Sequence, residues 1–206
     1  MTTTAPISVC IGTFGDTSHW SDLAQRALAS VERQTVQPEH VVWRHDRSLH
    51  EARNGAAWET NSTWLCFLDA DDELHPGYIE AMAAVLDHRD RLLQPSTLGV
   101  HPNGREDPQP VLIPTKPLLD GNYLVIGTLV RRSQFCTVGG FRELPMYEDW
   151  DLWIRCWLDG ATVEQVPEAI YRVHVNTQGR NSSTRAQQLR TYREIRERYR
   201  TDAVRH

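Results

Sequence analysis

The stretch "WLCFLDADDELHP", residues 64–76, begins with an apolar segment and continues with a cluster of acids. The first part predicts a short buried strand, and Asp69, Asp71 and Asp72 follow within four positions. Carboxylates this close repel one another, and each resists losing its water. The stretch therefore predicts a strand end where the negative charge is offset by a metal ion or by a bound group that carries one.

Strand and helix patterns alternate on both sides of this stretch through the first ninety residues. The predicted strands are "ISVCIGT", "HVVWRH" and "WLCFLD", and the predicted helices span residues 21–34, 49–60 and 77–88. Ser21 is a candidate N-cap for the first helix, and Pro76 precedes the third. The order predicts an α/β fold with a parallel sheet covered by helices on both faces.

The second half of the chain is less regular. Residues 94–122 contain six prolines and three glycines, which predict an irregular loop with one or two short strands. Further predicted elements are the strand "YLVIGTLVRR", a turn or short helix at 132–138, the helix "DWDLWIRCWLDG" ended by Gly160, and the strands "TVEQV" and "AIYRVH". A last helix at 183–200 has its apolar residues on one face: Leu189, Tyr192, Ile195 and Tyr199.

Composition predicts one globular domain with a modest extension. The chain has 206 residues, 40% hydrophobic and 24% charged, and no apolar run near the roughly 20 residues that span a bilayer. The N-terminus lacks the basic region of a signal peptide, and the four cysteines lack CxxC spacing, so we expect reduced thiols and a cytoplasmic protein.

The end of the chain is basic although the net charge is −5. Residues 180–206 hold eight Arg against three acids, and the Arg190–Glu194 and Arg193–Glu197 pairs have i,i+4 spacing. Such a helix docks on its own domain or on a second subunit, or it binds an anionic surface such as a membrane or nucleic acid. The paired acids favour docking.

Polar residues follow three of the predicted parallel strands. The strand ends read "GTFGD", "RHDRS" and "LDADD", and ligands of open α/β sheets bind beyond such ends. An acidic pair at a strand end also commonly caps the next helix, and Asp72 is the candidate for that role. The sequence thus leaves a ligand crevice and simple helix capping both open.

The ordered motifs resemble those of the family 2 glycosyltransferases. The matching segments are "ISVCIGTFGD", "ALASVERQT", "HVVWRHDRS", "EARNGA", "WLCFLDADDELHPGYIE" and, later, "GGF", "ED" and "YRVH", within residues 6–175. The resemblance implies a GT-A fold, a Rossmann-like and mostly parallel sheet flanked by helices, followed by a C-terminal amphipathic helix. It also implies one domain at 1–180, with a nucleotide-sugar half at 1–92 and an acceptor half at 93–180, and a helical tail at 181–206.

The resemblance assigns the donor site to residues of the first half. It implies a nucleotide-sugar donor, most commonly a UDP-sugar, whose diphosphate needs Mn²⁺ or Mg²⁺. Asp71 is the implied direct metal ligand, and Asp69 reaches the metal, one of its waters or the ribose. Thr13 and Asp46 are implied near the nucleobase, and Arg53 and Asn54 near base and phosphates. An Asx-turn is the alternative for Asp46, and "HDRS" in place of the commoner "DDGS" leaves the nucleobase open.

The acceptor half supplies the implied catalytic base. Asp149 matches the Asp of the family's ED pair and would take a proton from the acceptor hydroxyl in a single inverting displacement, with Glu148 in support. The alternative makes Asp149 a helix N-cap and Glu148 a partner of the helix dipole. His174 matches a further metal ligand or is an unpaired surface His, and Arg172 and Arg180 would reach the diphosphate.

Two neighbouring motifs have open assignments. Trp150 is either a core residue or a platform for an acceptor sugar, while Gly139, Gly140 and Phe141 predict a tight turn on the acceptor side.

Two other functions compete with this prediction. A catalytically silent relative would bind or assemble without turnover, and a sugar-1-phosphate nucleotidyltransferase would need a Gly-rich basic loop that "GTFGDTSHW" lacks. The acceptor stays open among a glycan, a lipid-linked glycan, a protein side chain and a modified nucleic-acid base. A homo-oligomer formed through the last helix is equally open.

Overall fold

A computed structural model describes residues 4–109, 118–175 and 184–203 and shows one sheet flanked by helices. The strands are β1 (Thr4–Phe14), β2 (Gln37–Asp46), β3 (Trp64–Asp69), β4 (Glu73–Leu74), β5 (Arg91–Val100), β6 (Glu106–Gln109), β7 (Leu129–Arg131) and β8 (Thr162–His174). The helices are α1 (Thr17–Glu32), α2 (Leu49–Trp58), α3 (Tyr78–Ala83), α4 (Arg132–Thr137), α5 (Glu148–Leu158) and α6 (Arg185–Ala203), with a 3₁₀ turn at Leu118–Asp120.

The sheet has the order β2-β1-β3-β7-β5-β8-β4, with β6 paired to β5. β1 is parallel to β2 and to β3, and β5 is parallel to β8. β7 runs antiparallel to both β3 and β5, so those two strands share one direction. The short strands β4 and β6 are antiparallel as well. The predicted α/β fold with a mostly parallel sheet is confirmed.

The core lies on both faces of the central strands. The side chains of β3 are fully buried up to Leu68, and only Asp69 at its end is partly exposed. The helices contribute small residues such as Ala27, Ala56 and Ala57, which allow close approach to the sheet. The apolar part of the opening stretch is therefore the centre of the sheet, and its acids emerge at one edge.

Two helices of the first half differ from their predicted bounds. α1 begins at Thr17 rather than at residue 21, because the Asp16 carboxylate accepts from the Ser18 backbone N–H at 2.9 Å and caps the helix. Ser21 lies inside α1 and caps nothing. α3 ends at Ala83 rather than at residue 88, and Arg91 donates to the freed Val85 carbonyl. The first residue of β5 thus fixes the short connection that follows the helix.

The proline-rich segment is more regular than predicted. β5 is a ten-residue strand that passes through Pro95, and β6 pairs with its end. Proline lacks the N–H that a ladder needs, and the β5–β8 register shifts between Pro95 and Ser96. The irregularity opposite that shift separates "TVEQV" from "AIYRVH", so the two predicted strands are one strand with a bulge.

The predicted strand at 123–132 is shorter in the structure. β7 comprises only Leu129–Arg131, because Thr128 donates to Val125 in a turn that precedes it. β7 nevertheless lies between β3 and β5 and joins the two halves of the sheet.

The last helix docks on the domain. Tyr192, Ile195 and Tyr199 pack against the core, as predicted, whereas Leu189 is 45% exposed and lies off the docked face. Glu197 pairs with Arg200 at 3.8 Å rather than with Arg193. Within the described residues, no helix combines the length and apolarity that crossing a bilayer requires.

Candidate active site

The three acids of the opening stretch form a compact turn after β3. Carboxylate oxygens of Asp69, Asp71 and Asp72 all lie within 4.8 Å of one another, and the Asp72 N–H closes the turn on the Asp69 carbonyl at 3.0 Å. Asp72 is not a helix cap, which corrects the prediction. Its buried carboxylate accepts from the backbone N–H of His174 at 2.8 Å and so ties the turn to β8.

The Asp71 and Asp72 carboxyls of this turn are costly to ionise because they are buried close to other acids. Burial raises the pKa of the Asp71 carboxyl, and the nearby Asp69 charge raises it further. Burial and then the charges of Asp69 and Asp71 raise the pKa of Asp72 well above its ordinary value. Oxygen ligands in a tight group are those that Mg²⁺ and Mn²⁺ prefer. The chemistry and spacing of the donor set therefore fit a hard divalent cation.

Arg53 of α2 links this turn to Phe141 and to the acids of α5. Its buried guanidinium forms an ion pair with Asp69 and lies 5.2 Å from the centre of the Phe141 ring. Burial alone would lower the pKa of Arg53, but the charges of Asp69, Glu148 and Asp149 hold that pKa above its ordinary value. The Arg53 guanidinium of "EARNGA" thus lies near the acids of the "ED" segment, although the two segments are far apart in the chain.

Asp149 and Glu148 occupy the first turn of α5. Glu148 is buried and Asp149 is partly buried, and the Asp149 carboxylate accepts from the backbone N–H of Trp150 at 2.8 Å. Burial raises the pKa of Asp149 to about 6, against the opposing charge of Arg53. Neither acid is the N-cap, because that position belongs to Tyr147. The N-cap alternative for Asp149 is therefore wrong, whereas Glu148 lies in the first turn of α5, where it can interact with the helix dipole.

Tyr147 holds a backbone conformation that nothing in the sequence indicates. Its φ of 63° makes it the one non-glycine residue in the left-handed region within the described chain. Such a residue persists only when its surroundings hold it, and it clusters with functional sites. It lies directly before Glu148 and Asp149 and sets the direction in which α5 begins.

The predicted GGF turn is confirmed. Gly139 and Gly140 have φ values of 80° and 67°, which glycine adopts without strain. The Asn54 amide accepts from the Phe141 N–H and donates to the Phe141 carbonyl, both at 2.8 Å. Asn54 thus fastens α2 to this turn, whereas the resemblance placed it near base and phosphates.

Thr13 and Asp46 lie side by side at the ends of β1 and β2. The buried Thr13 hydroxyl accepts from the Trp43 indole at 3.0 Å and contacts His45 Nδ1 at 3.0 Å. Asp46 accepts from Arg44 at 2.9 Å, and that hydrogen bond lowers the pKa of its carboxyl. Asp46 remains open enough to meet a ligand, whereas the Thr13 hydroxyl is engaged within the protein.

Two of the predicted residues have side-chain partners outside the three acids of the turn. His174 Nε2 is 3.0 Å from Glu73 Oε1, and burial lowers the pKa of its imidazole. His174 therefore faces Glu73 and is outside the carboxylate group, to which only its backbone N–H is joined. Arg172 forms an ion pair with Glu106 of β6. Arg180 lies outside the described residues.

Trp150 is a core residue. Its side chain is fully buried, its indole N–H donates to the Leu118 carbonyl at 2.7 Å, and its ring stacks on Tyr192 at 4.6 Å between centroids. No face is left for an acceptor sugar, so that alternative is wrong.

Two residues that hold the acidic turn escaped sequence reasoning. Arg26 of α1 donates to the Asp71 carbonyl at 2.6 Å and lies 3.5 Å from Glu73. The Tyr171 hydroxyl accepts from the Asp69 N–H at 3.1 Å. The motif offers no signal for either residue, because both contacts exist only once α1 and β8 have packed against the turn.

Comparison with known proteins gives one family. The family model described as "Glycosyl transferase family 2" matches residues 16–141. A search of curated protein sequences returns no match. The match includes Asp46 at the end of β2, the acidic turn and the GGF turn, whereas Thr13 and the first turn of α5 lie outside it.

Similar solved structures include those of S. aureus TarS. The structure of TarS 1-349 has a TM-score of 0.60 and 19% identity, covering 82% of this chain and 60% of that one. TarS 1-349 in complex with UDP-GlcNAc has a TM-score of 0.64 and 17% identity, covering 86% and 61%. The complex with UDP has a TM-score of 0.60 and 18% identity, covering 83% and 61%. The chain thus spans less than two thirds of the length of these structures, and at such identities the likeness shows the fold.

Proposed function

The chain belongs to glycosyl transferase family 2, and on that basis we propose that it transfers a sugar from a nucleoside-diphosphate sugar to an acceptor hydroxyl. One observation supports this most strongly. Arg53 interacts electrostatically with Asp69 of the acidic turn and with Glu148 and Asp149 of α5. A cluster suited to a diphosphate and a carboxylate suited to proton transfer thus lie near the same buried guanidinium, and glycosyl transfer needs both close together.

UDP is the nucleotide that we propose first. Two of the similar structures were solved with UDP-GlcNAc and with UDP. Asp46 can accept from a ring N–H, which uracil offers at its Watson–Crick edge. The proposal therefore places the base near Asp46 and the diphosphate near Asp69 and Asp71.

We propose that Asp71 and Asp69 hold Mn²⁺ or Mg²⁺ together with the donor. The raised pKa values of Asp71 and Asp72 mean that a nearby cation would stabilise these carboxylates. When bound, such a cation neutralises the negative charge that grows on the departing diphosphate. His174, which faces Glu73, is not needed for this set.

The proposed chemistry is one displacement at the anomeric carbon. Asp149 accepts the proton of the acceptor hydroxyl as that oxygen forms its bond to the sugar. The bond between the sugar and the diphosphate oxygen breaks, and the nucleoside diphosphate leaves with the electron pair. Attack from the face opposite the leaving group inverts the anomeric centre, and Glu148 supports Asp149 from the same helical turn.

A thermal-shift titration tests the donor site. Nucleoside diphosphates and nucleotide sugars are added with and without Mn²⁺ to wild type, to Asp71→Ala and to Asp22→Ala, an exposed acid on α1. A ligand that binds the folded state stabilises it by mass action, by about 2.7 kcal/mol at a hundredfold excess over Kd, and therefore raises Tm. We expect a Mn²⁺-dependent shift with UDP or a UDP-sugar in wild type and Asp22→Ala, and none in Asp71→Ala.

Two results would contradict the proposal. The absence of a shift with every nucleotide in folded wild type would remove the donor site. An undiminished, metal-dependent shift in Asp71→Ala would remove Asp71 as the ligand that matters.

A further inference from the structure

Helix α6 contacts a hydrogen-bonded chain behind the candidate site. The Tyr199 hydroxyl donates to the Asp151 carboxylate at 2.6 Å and accepts from Arg142 at 3.0 Å. Asp151 is fully buried and lies two residues after Asp149 in α5. A buried carboxylate needs donors for its oxygens, and α6 supplies two: the Tyr199 hydroxyl and, at the longer distance of 3.4 Å, Arg198 Nη1.

The chain continues from Asp151 to the GGF turn. Arg155 Nε donates to the second Asp151 oxygen at 2.9 Å, and another nitrogen of Arg155 donates to the Gly140 carbonyl at 2.7 Å. The contacts run from Arg142 through Tyr199, Asp151 and Arg155 back to Gly140. They form a closed loop around residues 139–142.

This ring of hydrogen bonds surrounds the GGF turn, whose backbone conformation depends on the contacts around it. Left-handed glycines are mobile unless neighbours fix them. Asn54 fixes the turn from the side of α2 through both polar groups of Phe141, and the loop through Tyr199 fixes it from the side of α6. Because the Phe141 ring lies against Arg53, a shift of the turn would also move the Arg53 guanidinium, which lies near both Asp69 and Asp149.

We propose that Tyr199 is a positioning residue that holds the GGF turn and the first turn of α5 in place through Asp151, Arg155 and Arg142. The assignment to catalysis rests on the proposed function. The C-terminal helix is then part of the acceptor side of the enzyme, and the influence of Tyr199 on Asp149 passes through Asp151, two positions further along α5.

Tyr192 offers a matched control on the same helix. Its hydroxyl donates to the Asp120 carbonyl at 2.7 Å, and its ring stacks on Trp150. Tyr192→Phe and Tyr199→Phe each remove one hydroxyl that docks α6, and both keep the ring. Only Tyr199→Phe breaks the path to Asp151.

Hydrogen exchange of the full chain tests the positioning directly. We expect the amides of residues 139–142 and 148–152 to exchange at least tenfold faster in Tyr199→Phe, and within twofold of wild type in Tyr192→Phe. If Tyr199→Phe does not fold, Arg142→Met removes the exposed partner of the Tyr199 hydroxyl and should speed exchange in the same segments. Unchanged exchange in Tyr199→Phe, or equal acceleration in the Tyr192→Phe control, would overturn the proposal.

Kinetics test the consequence for the reaction. With the donor that the titration identifies, Tyr199→Phe should release UDP at least fivefold more slowly at saturation, with donor Kd within twofold of wild type. Tyr192→Phe should match wild type in both. An equal loss of turnover in the two variants would make Tyr199 merely structural. If wild type binds and turns over no donor, the proposed function fails, and hydrogen exchange still decides whether Tyr199 holds the turn.

Discussion

Asp149 shows how a single side chain meets two opposing demands. Burial raises the pKa of its carboxyl to about 6, so the folded protein is less stable when this group is ionised. A raised carboxyl pKa contributes stability below its ordinary value near 4 and loses that contribution as pH rises through 6. The same shift makes Asp149 a better base near neutral pH.

Asp149→Asn should therefore raise stability while it strongly lowers turnover. At pH 7 we expect the free energy of unfolding to rise by about 1–2 kcal/mol, because the neutral amide avoids the buried charge. Turnover should fall by about 10²-fold or more. Chemical denaturation and UDP release measure the two effects. An active Asp149→Asn enzyme would exclude Asp149 as the base.

The pH profile offers an independent check on Asp149. Turnover at saturating donor should be level above about pH 7 and fall tenfold per unit below the pKa of about 6, because only the ionised carboxylate accepts a proton. A wild-type profile that stays flat down to pH 5 would contradict this role.

Substitutions of Gly139 and Gly140 can distinguish the cost of backbone strain from the cost of a side-chain clash. Both have positive φ, but a Cβ on Gly140 would lie 2.6 Å from Asn54 Oδ1, whereas a Cβ on Gly139 meets nothing within 4 Å. Gly139→Ala should cost about 1 kcal/mol, the backbone term alone, and Gly140→Ala about 2–3 kcal/mol because Asn54 must also give way. Urea midpoints compare the two, and equal costs would show that the clamp by Asn54 is loose.

At the scale of elements, α6 shows that an amphipathic pattern gives the docked face only approximately. Ile195 is 1% exposed and Leu189 is 45% exposed, although both belong to the predicted apolar stripe. Ile195→Ala should lower the free energy of unfolding by about 2–4 kcal/mol. Leu189→Ala should change it by less than about 0.5 kcal/mol. Thermal unfolding of both variants measures these changes. A large loss of stability in Leu189→Ala would indicate that this residue is covered by a partner.

Element bounds in the middle of the chain depended on contacts made elsewhere. α3 ends where Arg91 reaches the Val85 carbonyl, and β5 continues through Pro95 because β8 carries a matching irregularity. The partner of Pro95 in β8, Val166, is far away in sequence, so proline content suggested a loop where the sheet supplies a strand.

At the scale of the whole molecule, the first and second halves of the chain share one sheet. β7 lies between β3 of the first half and β5, and Arg53 interacts with acids of both halves. We expect one cooperative denaturation transition, with coincident curves from tryptophan fluorescence and far-UV circular dichroism. Two separated transitions would show that the halves fold independently.

The sequence by itself determined the fold class, the acidic strand end and the GGF turn. Each depends on local pattern: an apolar run before Asp69, and adjacent glycines that tolerate left-handed φ. The sequence also placed Asp149 on the first turn of its helix, although the N-cap went to Tyr147.

Only the tertiary structure decided what these local features touch. It put Asn54 on Phe141, His174 beside Glu73, Trp150 against Tyr192 and Arg53 between two sets of acids. The reason is physical, since burial and charge pairing arise between residues far apart in the chain, and no periodicity records them. The raised pKa of Asp149 is the clearest case, because it depends on burial that exists only after folding.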